Sequence, residues 1–184
     1  LAWDFEAGLT GFDPGYFVPG FDGAIDGRIA TTGSTRDDGG LDLDVGVDGL
    51  GGQLRGRRLT GKARFAMRGA APGSDTAAGF EGEAALAIGQ SRVAARGSVG
   101  DRIDIQAALE PLRLDDLLPD ASGQLSGTLA VAGGRDSPDV TADLAGTGLR
   151  HGDYAVDRLQ LRGRLPWRGG NGALQAEAAG VQAG

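Results

Sequence analysis

Segment after segment of this chain alternates large apolar residues with polar or charged ones, the period-two pattern of a strand with one covered face. Leu41, Leu43, Val45 and Val47 fall on one side of such a segment, with Asp42, Asp44 and Asp48 on the other. Ala63, Phe65 and Met67 alternate with Arg64, Ala66 and Arg68. The same spacing recurs at Leu86 and Ile88, at Val93 and Ala95, and at Ile103, Ile105, Ala107 and Leu109. It continues at Leu125, Leu129 and Val131, at Val140, Ala142 and Leu144, and at Leu159, Leu161 and Leu165. About a dozen such segments follow, each within the usual ~3 to 10 residues of a strand. The connections are short and carry Gly, Asp, Asn or Pro, so neighbouring strands are expected to be antiparallel, because parallel pairing needs a long crossover.

The pattern also repeats at an offset of one hundred residues. Pro19, Gly23, Ile25, Gly27, Ile29 and Gly33 return as Pro119, Gly123, Leu125, Gly127, Leu129 and Gly133. Arg58, Leu59, Lys62, Arg64 and Phe65 are answered by Arg158, Leu159, Arg162, Arg164 and Leu165. Units that stack in an array must present the same face to each neighbour, and a repeat of this kind records that demand. The expected organisation is a leading linker (1–22), a first β-repeat (23–108), an inter-repeat linker (109–122) and a second, truncated repeat (123–184). Each linker is bounded by prolines, and Leu109 to Pro119 has the clustered apolar residues of a short helical turn. The chain opens without Met and stops within a strand pattern at Val181 to Gly184, so both ends are expected to be cuts through a longer protein.

Composition narrows the fold further. Gly accounts for 35 of 184 residues and aromatics for only 5%. Each interior Gly disfavours helix by roughly 1 kcal/mol relative to Ala, which leaves no segment able to supply a helix layer. A one-faced sheet must nevertheless cover its apolar side, so curling of the sheet around that face is the expected solution. Periodicity alone leaves two readings of the face open, a packed core and a groove.

Four motifs then point to a family. They are Asp13-Pro14-x-x-Phe17-x-Pro19-Gly20, Gly23-x-Ile25-x-Gly27-Arg28-Ile29, the stretch from Leu117 through Pro119-Asp120 and Gly123 to Gly127-Thr128-Leu129, and Gly133 to Val140. In the last of these Gly134 stands where the pattern usually has Thr. In this order they resemble the TamB-like proteins of diderm bacteria, within the AsmA-like group, over nearly the whole chain. The resemblance implies an all-β fold, a curled and mostly antiparallel elongated sheet (the β-taco) with a hydrophobic interior, and no enzymatic activity. It implies a section of a periplasm-spanning conduit that carries phospholipid between the membranes and supports outer-membrane protein assembly, including autotransporters. The parent would be anchored in the inner membrane and would meet an outer-membrane barrel of the TamA type through a region outside this chain. Its partners would be phospholipid acyl chains and, in the assembly role, outer-membrane protein clients.

The residues expected to line the groove are Ile25, Ile29, Leu41, Leu43, Val45, Val47, Phe65, Met67, Leu86, Ile88, Val93, Ile103, Ile105, Leu125, Leu129, Val131, Val140, Leu144, Leu159, Leu161 and Leu165. Arg68 and Arg168, next to turns, are candidate rim contacts for lipid phosphate.

Other chemistry is sparse. The chain has no Cys and a single His, so thiolate metal sites and disulfides are excluded and general acid–base catalysis has few players. His151 falls in a turn sequence beside Gly152 and Asp153. Asp37, Asp38, Asp42 and Asp44 lack the spacing of a calcium-binding β-roll and fit a solvated strand face; no metal or cofactor is expected. A formal charge of −7 speaks against nucleic acid. The competing class is a structural or adhesive β-repeat of a surface fibre, but coils of such solenoids repeat at ~20 to 30 residues, which a hundred-residue period does not match.

Overall fold

A computed structural model describes residues 1–74, 77–166 and 172–183. They form one sheet of eleven strands in which each strand pairs with the next in the chain and every pairing is antiparallel. The strands are β1 (Ala2–Phe12), β2 (Gly23–Thr35), β3 (Leu41–Leu54), β4 (Arg57–Arg68), β5 (Gly79–Ile88) and β6 (Ser91–Val99). After them come β7 (Arg102–Arg113), β8 (Ala121–Gly134), β9 (Ser137–His151), β10 (Tyr154–Pro166) and β11 (Ala173–Ala183). A 3₁₀ turn, Pro14–Tyr16, follows β1, and a single helical turn, α1 (Leu114–Leu117), follows β7. The linker expected at 109–122 therefore holds the end of β7, α1 and the start of β8. Among the described residues no helix is long and apolar enough to cross a membrane.

The sheet is curled but unclosed, and β1 and β11 are its edges. At about 4.8 Å between strands, eleven of them extend roughly 50 Å along the stacking direction. Curvature enters through bulges, where one strand gains residues over its partner and bends. Register shifts lie between Leu9 and Phe12, Asp26 and Arg28, Val47 and Leu50, Leu109 and Leu112, and Ser122 and Gln124. The Val47–Leu50 break holds Gly49 at φ +61°, a left-handed conformation that an L side chain resists.

With one layer, the sheet buries little. Among the described residues the buried hydrophobic side chains are Ile25, Leu59, Ile88, Ala121, Ala142 and Ala155. The first three form a small core joined by Leu9, Leu50, Leu54 and Leu117. That core sits at the strand ends nearest the β3–β4 and β5–β6 turns, where α1 folds over the sheet.

Candidate functional site

The register divides the sheet into two chemically opposite faces. Ala7, Ile29, Val47, Ala63, Ala84, Ala95, Ala107, Leu129, Ala142, Gly163 and Leu174 stand opposite one another in a single row across all eleven strands. The next row on that face, from Phe5 through Val45, Phe65, Gly82, Gly97, Ile105, Val131 and Val140 to Leu165, is likewise free of charge. One residue over, the row on the other face runs Glu6, Ala30, Gly46, Arg64, Glu83, Arg96, Gln106, Ala130, Thr141 and Arg164. Alternation in the sequence has become two continuous surfaces.

All the residues expected to line a groove, from Ile25 to Leu165, fall on the apolar face by register. Their surroundings differ. Ile25 and Ile88 are buried in the core with Leu59, whereas Leu41, Phe65, Leu86 and Leu165 are exposed. The same face carries residues that alternation did not assign, among them Leu50 and Leu54 beyond a bulge in β3, Leu112 beyond a bulge in β7, and Phe80.

The centre of the apolar face holds a depression of about 370 Å³ bordered by Leu43, Val45, Phe65, Met67, Phe80, Val99 and Ile105. Its floor is made of small residues, Gly82 and Gly97 in one row and Ala84 and Ala95 in the next. The Phe65 ring lies over Gly82, occupying the space a Cβ would need, and Trp3 lies over Gly33 in the same way. Glycine at these positions lets aromatic rings lie flat against the backbone and leaves the trough wide.

Larger depressions mark the polar face, about 770 Å³ beside Asp44, Arg64, Glu81, Glu83 and Arg96, and about 590 Å³ over Ala85, Ala94, Ala108 and Ala130. Twist and coiling dish a large sheet on both sides, so depth alone does not identify a site. The polar dishes are walled by charges of both signs that water already solvates. An exposed apolar face running the length of a sheet is the costlier arrangement and the informative one.

Of the charged residues singled out from the sequence, Arg68, Asp38, Asp42 and Asp44 are engaged on the polar side. Arg68 Nη1 and Nη2 stand 3.0 and 2.8 Å from the two carboxylate oxygens of Asp44, and this bidentate contact holds the Asp44 carboxyl below its ordinary range. Asp38 is also held low, first by the Gly40 N–H donated at 2.9 Å and then by Arg36, which reaches Asp42 as well. Arg162 pairs with Asp143, and Arg164 with Asp139, across β9 and β10. His151 is exposed at the end of β9. Arg168 lies outside the described residues.

One end of the apolar face is closed by α1. Leu117 packs on the Ile25–Leu59–Ile88 core. Asp116 is fully buried, and its Oδ2 accepts from the N–H groups of Gln90 and Ser91 at 3.0 Å each and from the Ser91 hydroxyl at 2.8 Å. Arg57 Nη1 stands 3.5 Å from its other oxygen. The neighbouring Asp115 pairs with Arg113 and Arg57, and the Arg113 hydrogen bond in the first place lowers its carboxyl pKa. The carboxylate of Asp116 thus ties the helical turn to the β5–β6 turn, and Leu117 is carried onto the core by that tie.

Comparison with known proteins gives a consistent picture. Residues 1–183 match the family described as "TamB, N-terminal domain". Over 163 residues, 89% of the chain, the sequence is 21% identical to the translocation and assembly module subunit TamB of Haemophilus influenzae. The chain spans 12% of the length of that relative. No solved structure matches the chain significantly.

Proposed function

Because the chain belongs to the TamB family, we propose that its apolar sheet face is a section of a conduit for phospholipid acyl chains between the inner and outer membranes of a diderm envelope. The observation that carries this reading is the uncharged row that crosses all eleven strands, over which no second layer lies among the described residues. An acyl chain leaving water gains roughly 0.8 kcal/mol per buried CH₂, so a continuous apolar strip holds tails without any specific polar contact. Small residues along the floor, Ala84, Ala95 and Gly97, leave room for a chain to lie between the taller side chains of Phe65 and Ile105. Movement along such a strip is passive, because each row offers nearly the same contacts as the next.

In this reading the protein is not a catalyst. It works in the periplasm as part of a longer, inner-membrane-anchored parent, and an outer-membrane barrel of the TamA type receives the far end. The same strip would hold the apolar side of an unassembled outer-membrane strand, which is how it would support protein assembly. Arg68 and Arg168 remain the rim candidates, with Arg68 exchanging Asp44 for a lipid phosphate.

Native mass spectrometry with lipid extraction, on the chain purified from a bacterial host, tests the proposal. Co-purifying phospholipid that disappears in the Val45→Asp, Ile105→Arg variant is the expected result. A folded chain free of lipid, or one whose lipid is unaffected by both charges, would sink it. In the full-length parent the same pair of substitutions should leave the protein folded and impair lipid supply to the outer membrane.

A further inference from the structure

The chain carries the same short connection twice, and only one copy is seated. At the hundred-residue offset, β1, the 3₁₀ turn and β2 to β5 correspond to β7, α1 and β8 to β11, with β6 between the two sets. Tyr16 then corresponds to Asp116, and Phe17 to Leu117. Asp116 is 0% exposed and Leu117 packs on the core, yet Tyr16 is 90% exposed and Phe17 72%. Val18 is exposed as well, but so is its counterpart Leu118, so the two copies differ at the first two of these positions.

The unseated copy is nonetheless built. Asp13 accepts from the N–H groups of Gly15 at 2.9 Å and Gly23 at 2.8 Å, fixing the 3₁₀ turn to the start of β2. Phe12 and Phe17 stack with ring centroids 5.9 Å apart, and Tyr16 meets Phe17 edge-on at 6.0 Å. Ordered aromatic surface of this kind, held out from the fold, marks an interaction site.

The seated copy shows what such a connection rests on. α1 follows β7 and reaches back to the turn joining β5 to β6, the hairpin that precedes β7 along the sheet. The corresponding place before β1 is the free edge of the sheet, where β1 pairs only with β2 among the described strands. We propose that Tyr16 and Phe17 clasp a β-hairpin of the same polypeptide that pairs along the free edge of β1, its turn lying beneath the 3₁₀ turn as the β5–β6 turn lies beneath α1. The relative of which this chain spans 12% has ample length for further hairpins. A strand added at β1 satisfies the edge N–H and C=O groups, and the aromatic cluster fixes where the added hairpin ends. Tyr16, with a phenol where α1 has a carboxylate, calls for a turn that presents an acceptor or an apolar side chain instead of the two N–H groups and hydroxyl gathered by Asp116. Each connection then locks its unit to the preceding one and closes one end of the apolar face. The clasp stands whether or not the cargo is lipid.

Site-specific photocrosslinking in the full-length parent tests this, with a benzophenone side chain placed at position 17 and, as an internal reference, at position 117. Position 117 should crosslink to its own core partners near Leu59 and Ile88. Position 17 should crosslink to a strand pair of the same chain preceding β1. An adduct to a second copy, to phospholipid or to another protein would overturn the proposal, as would no adduct at all. A second readout is limited proteolysis of the parent. Cutting between the units should rise on the order of tenfold in Phe17→Glu and stay unchanged in Phe17→Leu. Equal resistance of the Glu variant would also overturn it.

Discussion

Leu59 and Phe65 stand on the same strand and the same face, six residues apart, yet Leu59 is 3% exposed and Phe65 52%. Both are large and apolar, and both face hydrocarbon neighbours across the sheet. The difference lies above them. Leu59 sits where Leu117 and the side chains of Leu9, Leu50 and Leu54 pack against the core, while nothing in the described chain covers Phe65. In a single-layer sheet, alternation decides which face a residue joins, but a further element decides whether it is buried. The covered end holds the fold together, and the open arm stays in contact with solvent.

The sharpest way to break this comparison is to truncate both residues. Leu59→Ala should cost about 2 to 4 kcal/mol in urea unfolding, the range for a buried Leu whose cavity the neighbours cannot refill. Phe65→Ala should cost about 1 kcal/mol or less, since half of the ring is already in water, while binding of a fluorescent acyl probe falls. Equal losses of stability would mean that the open arm is packed like the covered end. Next in size is the tie that closes the covered end. Asp116→Ala leaves two N–H groups and a hydroxyl without their acceptor and should cost about 1 to 3 kcal/mol, with Asp116→Asn recovering part of it. If Asp116→Ala unfolds at the wild-type urea concentration, α1 is held by Leu117 and the Asp115–Arg57 pair without it.

The two ends were not equally legible in the sequence. Period-two alternation is local, so it assigned Val45, Phe65, Ile105 and Leu165 to one face without knowledge of their partners. It failed at the bulges. Val47 and Leu50 share the apolar face although strict alternation separates them, because β3 places two residues, Asp48 and Gly49, against one of β4. Gly49 inside a strand pattern was the available signal, since an interior Gly often marks a bulge. The role of Asp116 was invisible for a different reason. Nothing in the sequence distinguishes it from Asp115, and its partners, Gln90 and Ser91, lie in a turn that only the folded sheet brings near. The hundred-residue repeat was plain, and it is the structure that shows its two connections in different states.

Acid should weaken the ion pairs of the polar face and of α1 before it touches the open rows of the apolar face. Asp38, Asp44 and Asp115 all have carboxyl pKa values below the ordinary range, through the Gly40 N–H, Arg68 and Arg113 respectively. A carboxyl that is lower in the folded chain than in the unfolded one adds stability above the unfolded value, about 3.9, and loses it as pH falls through the folded value. The melting temperature should therefore be flat with respect to these groups from about pH 5 to 8 and decline below about pH 4. Asp44→Asn should flatten that acid limb, whereas Phe65→Ala should leave its shape unchanged. A melting temperature that already falls between pH 7 and 5 would mean that other groups govern the acid response.

The smallest effect separates the two faces most cleanly. Arg162 and Asp143 are directly opposed on β10 and β9, with guanidinium nitrogens 3.1 Å from each carboxylate oxygen, and both are more than half exposed. Exposed pairs of this geometry couple by only about 0.2 to 1 kcal/mol, because water competes for both partners and two long side chains lose freedom. A double-mutant cycle with Arg162→Ala and Asp143→Ala should return a coupling in that range at low salt, and less at high salt as screening grows. Such pairs do not hold the sheet together; they keep its outer face charged, so that two sheets meeting there must desolvate ions. The open rows of the apolar face carry no charge among the described residues, and replacing Arg162 and Asp143 together should raise self-association of the chain more than it lowers the melting temperature. A cycle that returns several kcal/mol would instead make the polar face a structural partner of the core, and the division of labour between the two faces would fail.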